Sequence, residues 1–313
     1  MFTLLKALGG LFQNRNFILV LAVVLGLTFG ESVAAYAEPL ILPLLALVMT
    51  LSAVDVTSRE LLSLKKLYWP VVSSIILNYL VLGGAIILLA WWLIPDDELR
   101  TGFIILAAVP PAPAVLPFTH TLGGNVRFSL IGVTGAYLAA LIITPLVITL
   151  WLGTGFFNPV KLLLILAELV LIPIAASRIL LITSFISRIK ASRGVIVNWS
   201  FFIIVFALIG LNRQALFGEM DMLLRMFIIA VVTSFVMCHL LELAARVLHL
   251  TSETTISVIL MGTLKNYSLA GGILLSLFTT RSAIPVSVCL ILGIFMYVWL
   301  GFYFRKGRQK ITT

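Results

Sequence analysis

The chain has 313 residues, of which 61% are hydrophobic and only 11% charged, with a formal net charge of +9 and a mean hydropathy of +1.18. Soluble domains carry roughly 25% charged residues, so this composition excludes an ordinary soluble domain and defines a polytopic membrane protein, with the lipid bilayer as its first partner. The positive excess does not point to nucleic acid, because the lysines and arginines cluster at the ends of apolar runs, where membrane topology accounts for them.

A helix needs about 20 residues to cross the hydrocarbon core. Taken in chain order, ten such runs are present: Asn16 to Gly30, Pro39 to Val56, Tyr68 to Ile94, Arg100 to Leu122, Val126 to Leu152, Pro159 to Leu181, Val195 to Leu211, Met222 to Leu248, Thr254 to Phe278 and Ile284 to Phe304. The loops between them are too short for a soluble domain. Lys6 and Arg15, an apolar run and then Ala35-Tyr36-Ala37 imitate a secretory signal. An uncleaved first span is the expectation, because it keeps the count even. Cys238 and Cys289 both lie in apolar stretches and read as buried free thiols rather than as a disulfide or metal pair. No cofactor or metal site is expected.

Fifteen of the 21 lysines and arginines fall on the side that holds both ends of the chain, against five on the other, namely Arg100, Lys161, Arg213, Arg225 and Arg281. The positive-inside bias places both termini in the cytoplasm, with Asp96-Asp97-Glu98 and Glu219/Asp221 outside. The expected location is the bacterial cytoplasmic membrane. Ten spans divide into two halves of five, residues 1–153 and 158–307, and odd halves of a continuous chain have opposite orientation, as in an inverted repeat. The fourth span of the first half carries Pro110, Pro111 and Pro113 with Pro117 behind them. Prolines remove helix hydrogen bonds, so this span is not a regular helix. The fourth span of the second half carries Gly262-Thr263-Leu264-Lys265-Asn266-Tyr267-Ser268, a polar patch in an apolar helix. Interrupted spans at matching positions of two halves point to a binding site near the bilayer midplane. Lys265 is the one cation deep inside a span, a position that costs about 2.5–3.5 kcal/mol on insertion scales and that usually marks a transport path.

These residues bring out a resemblance. The chain resembles the bile acid:sodium symporter superfamily over most of its length, on Pro43-Leu44-Leu45-Ala46-Leu47-Val48-Met49-Thr50-Leu51 with Asp55, on the break from Pro110, on Gly124-Asn125-Val126 with Ser129 and Thr144-Pro145-Leu146, and on Lys265-Asn266-Tyr267-Ser268-Leu269-Ala270. The resemblance implies an all-α membrane protein with ten spans in two inverted repeats. Spans 1, 2, 6 and 7 would form a panel, and spans 3 to 5 and 8 to 10 a core in which discontinuous fourth and ninth spans cross. It implies a secondary transporter of small or amphipathic organic anions, working by alternating access. Sodium-coupled members carry a Ser-Asn pair after the first break, and an acidic residue four positions before a glutamine in the second. Those positions read Val115, Leu116, Met261 and Lys265 here. Sodium wants oxygen ligands, so a divergent, sodium-independent member is expected.

Three roles are open to Lys265: it replaces a sodium ion as a fixed charge, bonding Asn78, Asn266 and freed carbonyls; it couples transport to protons, since burial can bring a lysine from about 10.4 to about 5 or 6; or it pairs with the substrate carboxylate. Thr263, Asn266, Tyr267, Ser268, Asn78, Ser129 and Thr134 are candidate wall groups of the site, each also readable as an interhelical packing contact. His120 reads as an interfacial histidine or a gate. His239 and Glu242 read as a pair stabilising one helix, and Glu168 as a mid-span carboxylate able to face the crevice. Trp91, Trp92, Trp151 and Trp299 read as interfacial anchors. The spans contain no paired aspartates, Ser-His arrangement or His-Glu-x-x-His, so an enzyme is not expected. Three other readings stay open: an efflux carrier of arsenite or auxin type, a uniporter of a cation or neutral solute, and a receptor of the same fold that transports nothing.

Overall fold

In lipid a backbone must satisfy its own polar groups, and apolar runs therefore fold as helices. The computed structural model describes residues 13–54, 64–153, 155, 158–183, 188, 192–218 and 220–309, and among these every regular element is helical. Lys6, Asp55, Val56, Arg59, Lys190, Glu219 and Lys310, which entered the topology and resemblance arguments, lie outside the described residues.

The first five apolar runs form α1 (Arg15–Phe29), α2 (Ile41–Ala53), α3 (64–93), then α4 (Asp97–Ala108) and α5 (Val115–Leu122) in place of one helix, and α6 (Val126–Leu152). The next five form α7 (Pro159–Ile182), α8 (Arg193–Leu211), α9 (220–247), then α10 (Ser252–Thr263) and α11 (Tyr267–Leu277), and α12 (Ile284–Gln309). Among the described residues six helices are long and apolar enough to span a bilayer: Tyr68–Leu93, Val126–Leu152, Pro159–Ile182, Arg193–Leu211, Met220–Val247 and Arg281–Phe304. Arg15–Phe29, Glu38–Ala53 and Tyr267–Leu277 are shorter apolar helices.

Local chemistry sets the helix ends. Asn14, Asp96, Asn125, Asn158, Thr251 and Asn266 each accept an amide of the following first turn, as N-caps do. Gly123 ends α5 in the left-handed conformation at φ 70°. Two features escape the apolar pattern. α3 is π-helical over Ile76–Gly83 and α9 over Val232–Val236, the third helix of each half.

α1 packs on α8, α2 on α7, and α2 on α8, making one group. α3 to α6 and α9 to α12 make the other, with α3 against α6, α9 against α12 and α4 between α6 and α12. α11 meets the first group through Gly271 and Gly272, where an added Cβ would stand 2.5 Å from Leu208 and from Leu42. Small residues let helices approach closely where lipid supplies no hydrophobic drive. Trp91, Trp92 and Trp151 are exposed. Trp299 is half-buried, stacking on Tyr303 at 4.9 Å and standing edge-on to Phe235 where α9 and α12 pack. Both cysteines are free and buried.

Candidate functional site

The two broken helices meet at their gaps. Residues between α4 and α5 and between α10 and α11 are extended and run antiparallel, bridged at Pro111 and Lys265. The Ala112 amide donates to the Leu264 carbonyl at 3.2 Å, and the Asn266 amide to the Pro110 carbonyl at 3.0 Å. Pro110 and Pro111 lack an N–H, so this short ladder uses only the amides that the sequence leaves available.

A helix that stops in the membrane interior leaves carbonyls without partners and a partial negative charge at its end. Lys265 answers this for α4. Its side chain is 1% exposed, and its ammonium donates to Asn78 Oδ1 at 2.7 Å, the Ala107 carbonyl at 2.7 Å and the Val109 carbonyl at 3.0 Å. The remaining carbonyl of that turn, Ala108, accepts from Thr144 on α6 at 2.8 Å. The Tyr79 ring lies 5.0 Å from the ammonium. Asn78 sits in the π-helical turn of α3. Its Nδ2 donates to the carbonyls of Met261 at 3.2 Å and Leu264 at 3.5 Å at the end of α10, while its Oδ1 accepts from the ammonium that bonds the end of α4. The three donors of Lys265 are all taken by protein acceptors, none of them a carboxylate, and none is left for a ligand.

The other predicted residues divide. Asn266 does not bond the ammonium. Its oxygen caps α11 through Leu269, and its Nδ2 donates to the Tyr137 hydroxyl at 2.8 Å, because N-cap geometry turns the side chain along α11. Thr263 bonds back to the Ile259 carbonyl at 2.6 Å. Ser129 pairs with Thr119 at 2.9 Å behind the break. His120 is exposed on α5. Glu168 is exposed on α7, away from Lys265 and from the crevice, since the buried face of that helix is Leu162, Leu166, Leu169, Val170 and Pro173. His239 is 3.8 Å from Glu242, which also bonds Arg246 at 2.7 Å and Tyr303 of α12 at 2.9 Å. Among the described residues no three His, Cys, Asp or Glu side chains cluster as metal ligands.

Two clefts flank the crossing, both between the helix groups, with Pro113 in the wall of each. One lies among α2, α7, α5 and α6 and includes Thr134, Tyr137 and Arg178. The other lies among α1, α8, the crossing and α12 and includes Arg15, Asn266, Tyr267 and Ser268. Tyr137 and Arg15 were not singled out from the sequence. Tyr137 stands two helical turns after Ser129 on the same buried face of α6, which is the signal that could have found it. Arg15 reads as a topology marker until the fold places it in a cleft.

Helices of membrane-spanning length, paired breaks and crevices between two helix groups define a membrane transport protein. The model of the sodium bile acid symporter family matches residues 42–219, more than half of the chain. The chain therefore belongs to that family. The match covers α2 to α8 and ends before Lys265. No curated protein matches the chain.

Proposed function

We propose that this protein is a sodium-independent secondary carrier of organic anions, and that Lys265 holds the crossing together as a fixed positive charge where other members bind an ion. The observation that carries this reading is the ammonium itself, bonded to Asn78 and to two terminal carbonyls of α4, as a cation with oxygen ligands would be. Val115, Leu116 and Met261, at the positions that would supply sodium ligands, are buried apolar side chains.

In this reading the chain has ten spans in two inverted halves, residues 1–153 and 158–307. The recurrence of a π-turn in each third helix and of a break in each fourth supports it. α1, α2, α7 and α8 form the panel and the other helices the core; the packing of those four on one another supports that partition. The protein sits in a bacterial cytoplasmic membrane with both termini inside. Both clefts then open toward the cytoplasm, since Arg15, Ala53 and Arg178 lie at that end. The core moves against the panel to carry solute from one side to the other.

One observation favours a second reading, proton coupling: no partner of Lys265 is a carboxylate, so loss of its proton would strand no buried anion. Thermal unfolding of the purified protein across a panel of organic acids, in sodium and in choline salts at two pH values, tests both. A ligand of the folded state raises the melting temperature. Stabilisation by an acid in either salt supports the carrier reading. Stabilisation by sodium alone contradicts the fixed-charge role, and an acid effect that depends on pH moves weight to coupling.

A further inference from the structure

We infer that the lipid-facing side of α7 is a self-association surface: two copies of this chain pair through parallel α7 helices, and their Glu168 carboxyls hydrogen-bond to each other at the contact. The inference is independent of the carrier reading and of the clefts.

Glu168 is the tenth residue of the 24-residue α7. At about 1.5 Å per residue it stands about 14 Å from the first residue of that helix and about 21 Å from the last, within the roughly 30 Å hydrocarbon layer. It is exposed, and among the described residues its carboxyl has no hydrogen bond or ion pair. Glu242, another carboxylate within a spanning helix, is served by Arg246 and Tyr303. A bare carboxyl facing lipid is costly in either protonation state, because hydrocarbon offers neither donor nor acceptor. Leu164, Leu171, Ile172, Ala175 and Ile179 share its face and are exposed as well. Leu164, Glu168, Leu171 and Ala175 alternate steps of four and three, the spacing of a seam between two helices. Ala175, one heptad after Glu168, lets the backbones approach. Copies inserted in one orientation close a pair about a two-fold axis along the membrane normal, which sets each residue of the central helix opposite its own copy. A lysine or arginine there would meet its like charge. A carboxyl is self-complementary, since one that keeps its proton donates its O–H to an oxygen of the other, and this singles out a second copy of the chain as the partner. Lys161, two turns before Glu168 on the same face, does not oppose the pairing, because its ammonium is turned to the Ser276 carbonyl of α11 at 3.0 Å.

Förster transfer between donor- and acceptor-labelled copies of the full-length protein in liposomes, followed as the protein is diluted with lipid, tests this. The parent is expected to show more transfer than randomly placed monomers. Glu168→Leu, which suits a lipid-facing position and is checked for unchanged helix content by circular dichroism, is expected to raise the protein-to-lipid ratio at half association by about fivefold to thirtyfold, the worth of an interhelical polar contact. Glu168→Gln, whose amide both donates and accepts, is expected to stay within about threefold of the parent. Copper oxidation of Ala175→Cys is expected to cross-link two copies, whereas Leu240→Cys, exposed on α9, is expected to stay uncross-linked. The native cysteines are buried, and the parent serves as the control. A monomeric parent, a pair indifferent to Glu168→Leu, Glu168→Gln as weak as Glu168→Leu, or cross-linking of Leu240→Cys in place of Ala175→Cys would overturn the inference.

Discussion

Replacing Lys265 by alanine removes the one group that satisfies Asn78 Oδ1 and the carbonyls of Ala107 and Val109. Interhelical hydrogen bonds in membrane proteins average about 0.6 kcal/mol and reach about 1.7, so three such bonds amount to roughly 2–5 kcal/mol. Relief of the ammonium's desolvation offsets part of this loss, while the converging helix ends are left with uncompensated negative dipoles. A net destabilisation of about 2 kcal/mol is expected. The same substitution leaves a space lined by three oxygen acceptors, which is chemistry that suits a hard monovalent cation. Lys265→Ala is therefore expected to show a melting temperature that rises with sodium and not with choline, a response the fixed-charge proposal does not expect of the parent. The assay is thermal unfolding of parent and variant in detergent, from zero to several hundred millimolar of each salt. A variant as stable as the parent, or one that is destabilised but indifferent to sodium, would refute the idea that the ammonium occupies an ion's place.

Tyr137→Phe removes the acceptor of the Asn266 amide and is expected to cost about 1 kcal/mol in unfolding free energy, with a larger effect on transport than on stability, because that hydroxyl borders a cleft. Gly102→Ala would drive a methyl into the Ser282 carbonyl and the Pro285 ring where α4 meets the start of α12, and a loss of about 1–3 kcal/mol in denaturant unfolding is expected. Asp96 caps α4 and pairs with Arg281 at 2.9 Å. Partial burial pushes its carboxyl up, but the Leu99 amide and the Arg281 guanidinium outweigh this and hold it below the ordinary value. The folded-state pKa is thus depressed. Its contribution is present above the unfolded value, near about pH 4, and is lost as pH falls through the folded value. An asparagine side chain caps a helix as well as an aspartate does, so Asp96→Asn isolates the ion pair: a loss under about 1 kcal/mol at about pH 6 that shrinks progressively as pH falls below about 4 in melting curves of the two proteins.

Much of the site could be read from residue types whose burial demands a reason. A lysine inside a span and the closely spaced prolines Pro110, Pro111 and Pro113 are expensive in lipid, and both mark the crossing. Asn78 was a candidate for the same cause. The pairing within the site was less legible. That Asn266 serves Tyr137 and the α11 cap, rather than Lys265, depends on backbone geometry at a helix start, which the order of residues does not display. The π-turns of α3 and α9 add no signature to these apolar runs, so the turn that aims Asn78 at the end of α10 and at Lys265 could not be read. Arg15 and Glu168 exchanged roles. The arginine at a span end looked like a topology signal and faces a cleft, whereas the mid-span glutamate looked functional and lies on the outer face of α7. In both cases the deciding fact is which neighbours the fold supplies.

The most direct test of the central claim is counterflow of a labelled apolar monocarboxylate into proteoliposomes loaded with the unlabelled acid, measured in sodium and in choline. The account predicts accumulation at equal rates in both media. Accumulation that requires sodium, or none in either medium with acids shown to bind, would contradict it.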